Sequence, residues 1–210
     1  MKIPTFSTNR IETLVDGVFA ISMTLLVLDL KVPPHLNITT AQGLITVLCG
    51  VWPLFINYLI SFFILAAIWV NNNEQFHYIK ETNKTYLLLN LYSLFFVVLI
   101  PFSTSLIGDY PGIWAGELVF HANFMFLGLM AFLIWNYAIK NQNLLDKDKV
   151  NLERIKHHRA RARLIFLIPF LAMAISFLYP GYSNLTYLLL PLIGFLKRKK
   201  VVYNETKHFS

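Results

Sequence analysis

The chain has a single cysteine, Cys49, set in an apolar stretch, which excludes a disulfide within the chain and any thiolate-bound metal site. Charge is scarce as well. Charged residues make up 14% of the 210 positions, against about a quarter in an ordinary soluble domain. No small-residue cleavage pattern follows the first apolar run, and only Lys2 and Arg10 precede it, so the run reads as a retained membrane helix rather than a secretory signal. Ionisable residues are missing from the middles of the apolar runs, and the interruptions at Pro53 and Pro101 are not convincingly paired. A secondary transporter wants ionisable residues near mid-bilayer and interrupted helices in related halves, so both observations speak against one. Cys49 has no histidine close to it in sequence, and no nucleophile, base or metal set clusters elsewhere, which speaks against an enzyme. There is no convincing internal repeat, low-complexity tract or soluble domain.

What the chain does have is apolar length. Hydrophobic residues account for 56% of it, and mean hydropathy is +0.56. The fold class this implies is an all-α integral membrane protein. Six transmembrane helices are expected in one membrane domain over 1–210, with spans at about 14–30, 44–70, 86–107, 113–139, 164–179 and 182–196. Pro53 predicts a kink or a late start in the second span. The run Gly108 to Gly112 predicts a tight turn between the third and fourth spans. The second half of the basic segment Lys140 to Arg163 can extend the fifth helix, and Pro191 weakens the short sixth. The net charge of +7 lies between the spans rather than along one soluble face, so it reports orientation and not nucleic acid. With six crossings, seventeen of the eighteen lysines and arginines fall on the side of the termini, and only Lys31 falls opposite. The positive-inside rule then makes both termini cytoplasmic in a multi-pass protein of the cell membrane. The basic segments, with His157 and His158 among them, suit a solvated face or contact with anionic lipid.

The first span, Arg10 to Pro33, is the most informative stretch. Ile21, Leu25 and Leu28 are spaced by four and three and form one stripe at about 100° per residue, with Thr24 beside it. Spacing alone fits lipid contact or core packing as well as a pore. Asp16 is different, because a carboxylate near the end of a crossing helix is costly unless it is paired or hydrated. Arg10 lies six residues back, about 240° round the helix, and is poorly placed to pair with it. The partner is expected from another helix, with Trp69, Asn71, Asn72 and His77 nearest in depth.

Arg10, the run Asp16-Gly17-Val18-Phe19-Ala20-Ile21, then Thr24 to Leu28 and Lys31-Val32-Pro33 resemble the first-helix signature of the transmembrane protein 175 family of potassium channels. That signature is an arginine, three residues, Phe-Ser-Asp and an apolar run. Leu14 and Val15 replace its phenylalanine and serine, while Arg10 and Asp16 keep their spacing. The likeness continues in Trp69, Asn71 and Phe76 to Ile79, where Asn72 and Asn73 stand in place of family histidines, and in Leu89-Asn90-Leu91, Pro101-Phe102 and Tyr110-Pro111-Gly112. It covers about the first half of the chain.

The resemblance implies a homotetramer whose first helices surround a central pore, with a hydrophobic constriction in place of a carbonyl filter. Ile21 maps to the narrowest ring, Leu25 and Leu28 to the turns beyond it, and Thr24 to a layer implicated in potassium preference. Arg10, Asp16, Trp69, Asn71, Asn72 and His77 map to the network that anchors this helix. Potassium is then the permeant ion, with no cofactor, and the partners are other copies of the chain and the bilayer. The alternatives are a proton-conducting channel, as the animal relatives suggest, or a secondary cation transporter. The physics of an apolar ring agrees with the potassium reading: such a ring closes by dewetting, and sodium, which holds water more tightly, crosses it less readily. Asp29, Asp109 and Glu117 outweigh Lys31 on the outer side, which suits a mouth that gathers cations or simply hydrated loop ends.

Glu117 and His121, one turn apart, form the remaining constellation, with Asn123 nearby. Without a third ligand close in sequence, they read as a structural hydrogen bond or a hydrated vestibule before a metal or proton site. Asn57, Asn90 and Asn136 read as inter-helix glue, and Trp52, Trp114 and Trp135 as anchors at the membrane interface.

Overall fold

The structure, a computed structural model, describes residues 7–31, 38–146, 148–149 and 152–189, with the side chains of 152–154, 156–162, 164 and 188 left aside. Six α-helices occupy these residues: α1 Thr8–Leu25, α2 Ala41–Gly50, α3 Trp52–Phe76, α4 Lys84–Asp109, α5 Trp114–Lys140 and α6 Leu152–Ser176. Short 3-10 turns cover Leu26–Asp29, Gln142–Leu144 and Ser183–Leu188. Among the described residues, four helical stretches are long and apolar enough to cross a membrane, namely α1 with its 3-10 extension, α3, α4 and α5. The apolar part of α6, Ile165–Ser176, is shorter. Residues 190–196 of the sixth expected span, the Lys197 to Lys200 cluster, Lys2, and Pro33 with Pro34 lie outside the described residues.

Local chemistry accounts for the boundaries. The expected second span is two helices, broken at Val51, because Pro53 sits in the first turn of α3, where its missing N–H costs nothing. Thr40 caps α2 by accepting from the Gly43 amide at 3.1 Å, and Asn83 caps α4 by accepting from the Tyr86 amide at 2.9 Å. The tight turn between α4 and α5 depends on Gly112, whose φ of +77° suits a residue without a side chain. The basic stretch does continue into α6, which starts at Leu152. An antiparallel bridge between Ile79 and Leu145 ties the α3–α4 loop to the α5–α6 loop, with the Lys80 amide donating to the Leu144 carbonyl at 2.8 Å.

α5 is the central helix of the bundle and packs against both α4 and α6. Its buried residues Phe120, Phe124, Leu127, Ala131, Ile134 and Ala138 follow steps of three and four, so one face is continuously apolar. Trp135 belongs to this core, at 1% exposure, and is not the interface anchor its type suggests. Trp52 and Trp114 are exposed. Polar residues are inside: Ser61 of α3 and Thr104 of α4 share a buried hydrogen bond of 2.9 Å, and Asn57 accepts from Asn184 at 3.1 Å. Asn90 donates at 2.9 Å to the Tyr86 carbonyl of its own helix, so that bond does not join two helices.

The contact between α5 and α6 depends on Gly128. A Cβ there would lie 2.6 Å from the Ile165 carbonyl oxygen, which is backbone and cannot rotate away. Gly128→Ala is therefore expected to lower stability by about 1–3 kcal/mol, the usual range for overpacking. Thermal unfolding followed by size exclusion in detergent checks this. An unchanged midpoint would mean that the two helices do not approach so closely.

Candidate functional site

The candidate site is built on α1, whose two sides differ. Ile11, Val15, Phe19, Ser22 and Leu26 are buried, in steps of four, four, three and four, on the side that meets α3 and α4. Leu14, Gly17, Ile21, Thr24 and Leu28 follow the complementary steps of three, four, three and four, and all are exposed in the single chain. Ile21 is 60% exposed, Leu25 41% and Leu28 62%. Four expected pore residues, Ile21, Thr24, Leu25 and Leu28, thus share one uncovered face. After Leu25 the helix tightens to 3-10 geometry, in which residues three apart eclipse, so Leu28 stands directly above Leu25.

Thr24 donates its hydroxyl proton to the Ile21 carbonyl at 2.8 Å. Its only donor is therefore occupied, and what the oxygen presents outward is lone-pair density that can accept a hydrogen bond or face a cation. This is the one oxygen-bearing side chain among the exposed residues from Ile21 to Leu28.

On the flank of the same helix, Asp16 accepts from Trp69 Nε1 of α3 at 2.9 Å. Arg10 is exposed and makes no ion pair with Asp16. Asn71 and Asn72 are buried, and both amide atoms of Asn71 have no hydrogen-bond partner among the described residues. His77 is exposed at the end of α3 and packs edge-on against Tyr78. Of the expected anchoring set, then, the structure brings together Asp16 and Trp69, places Asn71 and Asn72 in the interior, and leaves Arg10 and His77 at the surface. No group of three histidine, cysteine, aspartate or glutamate side chains is arranged to hold a metal among the described residues.

Glu117 departs from one expectation and meets another: with His121 it takes part in a buried structural hydrogen-bond chain through Ser183. It is 2% exposed and bonded to Gly181 and Ser183, so it does not add charge to the surface beside Asp29 and Asp109. Its partners lie more than sixty residues away, and the sequence carries no sign of them beyond a matching four-residue step from Ser183 to Tyr187.

The family model described as endosomal/lysosomal potassium channel TMEM175 matches residues 10–101, which take in α1 to α3 and most of α4. A potassium channel of Chamaesiphon minutus is 31% identical over 176 residues, covering 81% of this chain and 85% of that protein. The chain belongs to the TMEM175 family of ion channels. The crystal structure of a lysosomal potassium-selective channel TMEM175 homolog from Chamaesiphon minutus matches with a TM-score of 0.77 at 28% identity, over 90% of this chain and 97% of that one. The endosomal/lysosomal proton channel TMEM175 of Danio rerio is 26% identical over 200 residues, which are 91% of this chain but 37% of that longer protein. The all-helical fold is thus a TMEM175 channel fold, and the uncovered face of α1 lies within the matched region.

Trp69→Phe keeps the aromatic packing but removes the donor, leaving the half-buried Asp16 carboxylate without this partner. A loss of about 1–3 kcal/mol is expected. Asp16→Asn, which keeps an acceptor oxygen, is expected to cost less. Thermal midpoints of the two variants check the order, and a Trp69→Phe midpoint equal to that of the wild type would show that the bond contributes nothing to holding α1.

Proposed function

We propose that this TMEM175-family protein is a potassium-permeable, potassium-preferring channel. Four copies assemble with the uncovered faces of their α1 helices around a shared pore. Ile21 forms the narrowest ring, Leu25 and Leu28 continue the apolar passage, and Thr24 offers oxygen lone pairs beside it. The observation that carries the reading is the unbroken exposed stripe on α1, opposite a side anchored to α3 and α4. A stripe of aliphatic side chains left open by its own subunit suits a dewetting constriction. Each subunit crosses the cell membrane six times as one domain over 1–210, with both termini cytoplasmic, and its basic cytoplasmic segments meet anionic lipid headgroups. Arg10, Asn71, Asn72 and His77 support the Asp16–Trp69 anchor at the cytoplasmic end.

Potassium preference follows from hydration. An ion passing the Ile21 ring gives up water without receiving ligands from the ring itself, and potassium gives it up more readily than sodium. Proton conduction is the second reading, favoured by the name of the Danio rerio relative as a proton channel. It uses the same pore and differs in whether water bridges the constriction.

Ile21→Asn replaces the apolar ring with water-binding amides. In liposomes bearing a potassium gradient, with sodium and proton controls, the variant is expected to leak more and to discriminate less between potassium and sodium. Identical fluxes before and after the change would remove Ile21 from the constriction. Saturating exchange that requires substrate on the opposite side would instead indicate a transporter.

A further inference from the structure

At the end of the bundle where α1 finishes, four side chains form a buried chain of hydrogen bonds between α5 and the segment after α6. Ser183 donates to Glu117 Oε2 at 2.6 Å, and the Gly181 amide donates to Glu117 Oε1. His121 Nε2 lies 2.8 Å from Ser183 Oγ, and His121 Nδ1 lies 3.0 Å from the Tyr187 hydroxyl. Glu117, His121, Ser183 and Tyr187 are each at most 2% exposed. Gly181 adopts φ +90°, and this left-handed turn after Pro180 accompanies its amide's bond to Glu117.

The directions of these bonds are mutually determined. Two donors aimed at Glu117 suit a carboxylate, which only accepts. Ser183 has then used its one proton, so it accepts from His121 Nε2–H. His121 Nδ1 is left as an acceptor, and the Tyr187 hydroxyl donates to it. Every proton in the chain has one destination when Glu117 is charged and His121 neutral. One further proton breaks this count. If it goes to His121, Nδ1–H faces Tyr187 and the phenol loses its acceptor; if it goes to Glu117, the chain reverses and again ends on Tyr187. Among the described residues the Tyr187 hydroxyl bonds only His121, so either route strands a buried O–H, which costs free energy.

The surroundings do not compensate. The outer halves of α3 and α6 contain no acidic, basic or histidine residue, and Asp109 of α4 is exposed and bonded to Ser105 at 3.3 Å. Asp29, at the end of α1, interacts with Ser105, Lys31 and Asp109. Asn57 and Asn184 bond one another, and Asn123 bonds Ser103.

We propose that Glu117, Ser183, His121 and Tyr187 form a proton-binding latch: the deprotonated chain holds residues 181–187 against α5, and uptake of a proton releases them. The docked form favours the state with fewer protons, so the latch is closed at neutral pH and is lost as pH falls. The ligand is the proton itself, and the site is separate from the α1 stripe.

The test is hydrogen–deuterium exchange on the full chain in detergent, between about pH 8 and about pH 5, the interval in which histidine-centred sites respond. After correction for intrinsic exchange, peptides over 177–188 are expected to lose protection by at least about tenfold, the effect of one pKa unit of linkage. Peptides from the middle of α4 and α5 are expected to hold theirs. His121→Gln can still donate on one side and accept on the other but removes the imidazole's titration and leaves only the Glu117 route, so its loss of protection with falling pH is expected to be clearly smaller than that of the wild type. Unchanged wild-type protection overturns the proposal, as does a loss shared by all helices or a His121→Gln response equal to that of the wild type. The wild-type series decides the matter even if the variant does not fold. Channel flux is not the readout, so failure here leaves the pore reading untouched.

Discussion

The hydrogen bond from Trp69 to Asp16 is the constraint on which the arrangement of α1 depends. A helix presents a new side chain about every 100°, so slipping its rotation by one residue would carry Ile21 away from the uncovered face and bring a buried neighbour into its place. Apolar packing alone cannot prevent this strongly, because Leu, Ile and Val are interchangeable against lipid or protein. A carboxylate bonded to a single indole is not interchangeable. A bond to a charged group is worth about 1.5–3 kcal/mol, and here its value lies chiefly in fixing an angle.

The remainder of the molecule follows from lipid as solvent. Large hydrophobic side chains such as Phe63, Phe95, Phe102 and Phe170 are exposed, while Ser61, Thr104, Asn123, Glu117 and His121 are inside. In water this distribution would be unstable; in a bilayer the outside is already apolar, and polar groups must find partners within the bundle. Small residues then decide how closely helices approach, as Gly128 does against Ile165. The uncovered stripe of α1 differs from the lipid-facing aromatics in being lean, with Gly17, Ala20 and Thr24 interspersed among aliphatics. Such a surface suits helices that meet copies of themselves.

The long helices could be read from the sequence because hydropathy, end caps and prolines act locally. Gly112 marked the α4–α5 turn, and the side of α1 carrying Ile21 followed from helical periodicity. The break at Val51 was foreshadowed by Pro53, though not its position. Trp135 was misjudged because an indole looks the same in a core and at an interface, and only the neighbouring helices determine which it meets. Glu117 reads from the sequence both as outer-side charge and, with His121, as a structural hydrogen bond; only the second holds, and its partners Ser183 and Gly181 are not legible because they reach it only through the path of α6. The Trp69 contact was one of several candidates at similar depth, and depth alone does not select among side chains on one helix. Asn71 is buried as its depth suggests but has no hydrogen-bond partner among the described residues, so a buried position does not by itself identify a bonded one.

The central claim is that four α1 stripes line one pore. It is tested most directly by cadmium block of potassium current in a Cys49→Ser background, with cysteine introduced at Leu28 or, as a control, at the exposed Phe63 of α3. A pore formed by α1 predicts that Leu28→Cys channels are blocked by micromolar cadmium, because thiolates from several subunits converge on one ion, while Phe63→Cys channels are not. Block at Phe63 without block at Leu28 would contradict the account and place the conduction path elsewhere.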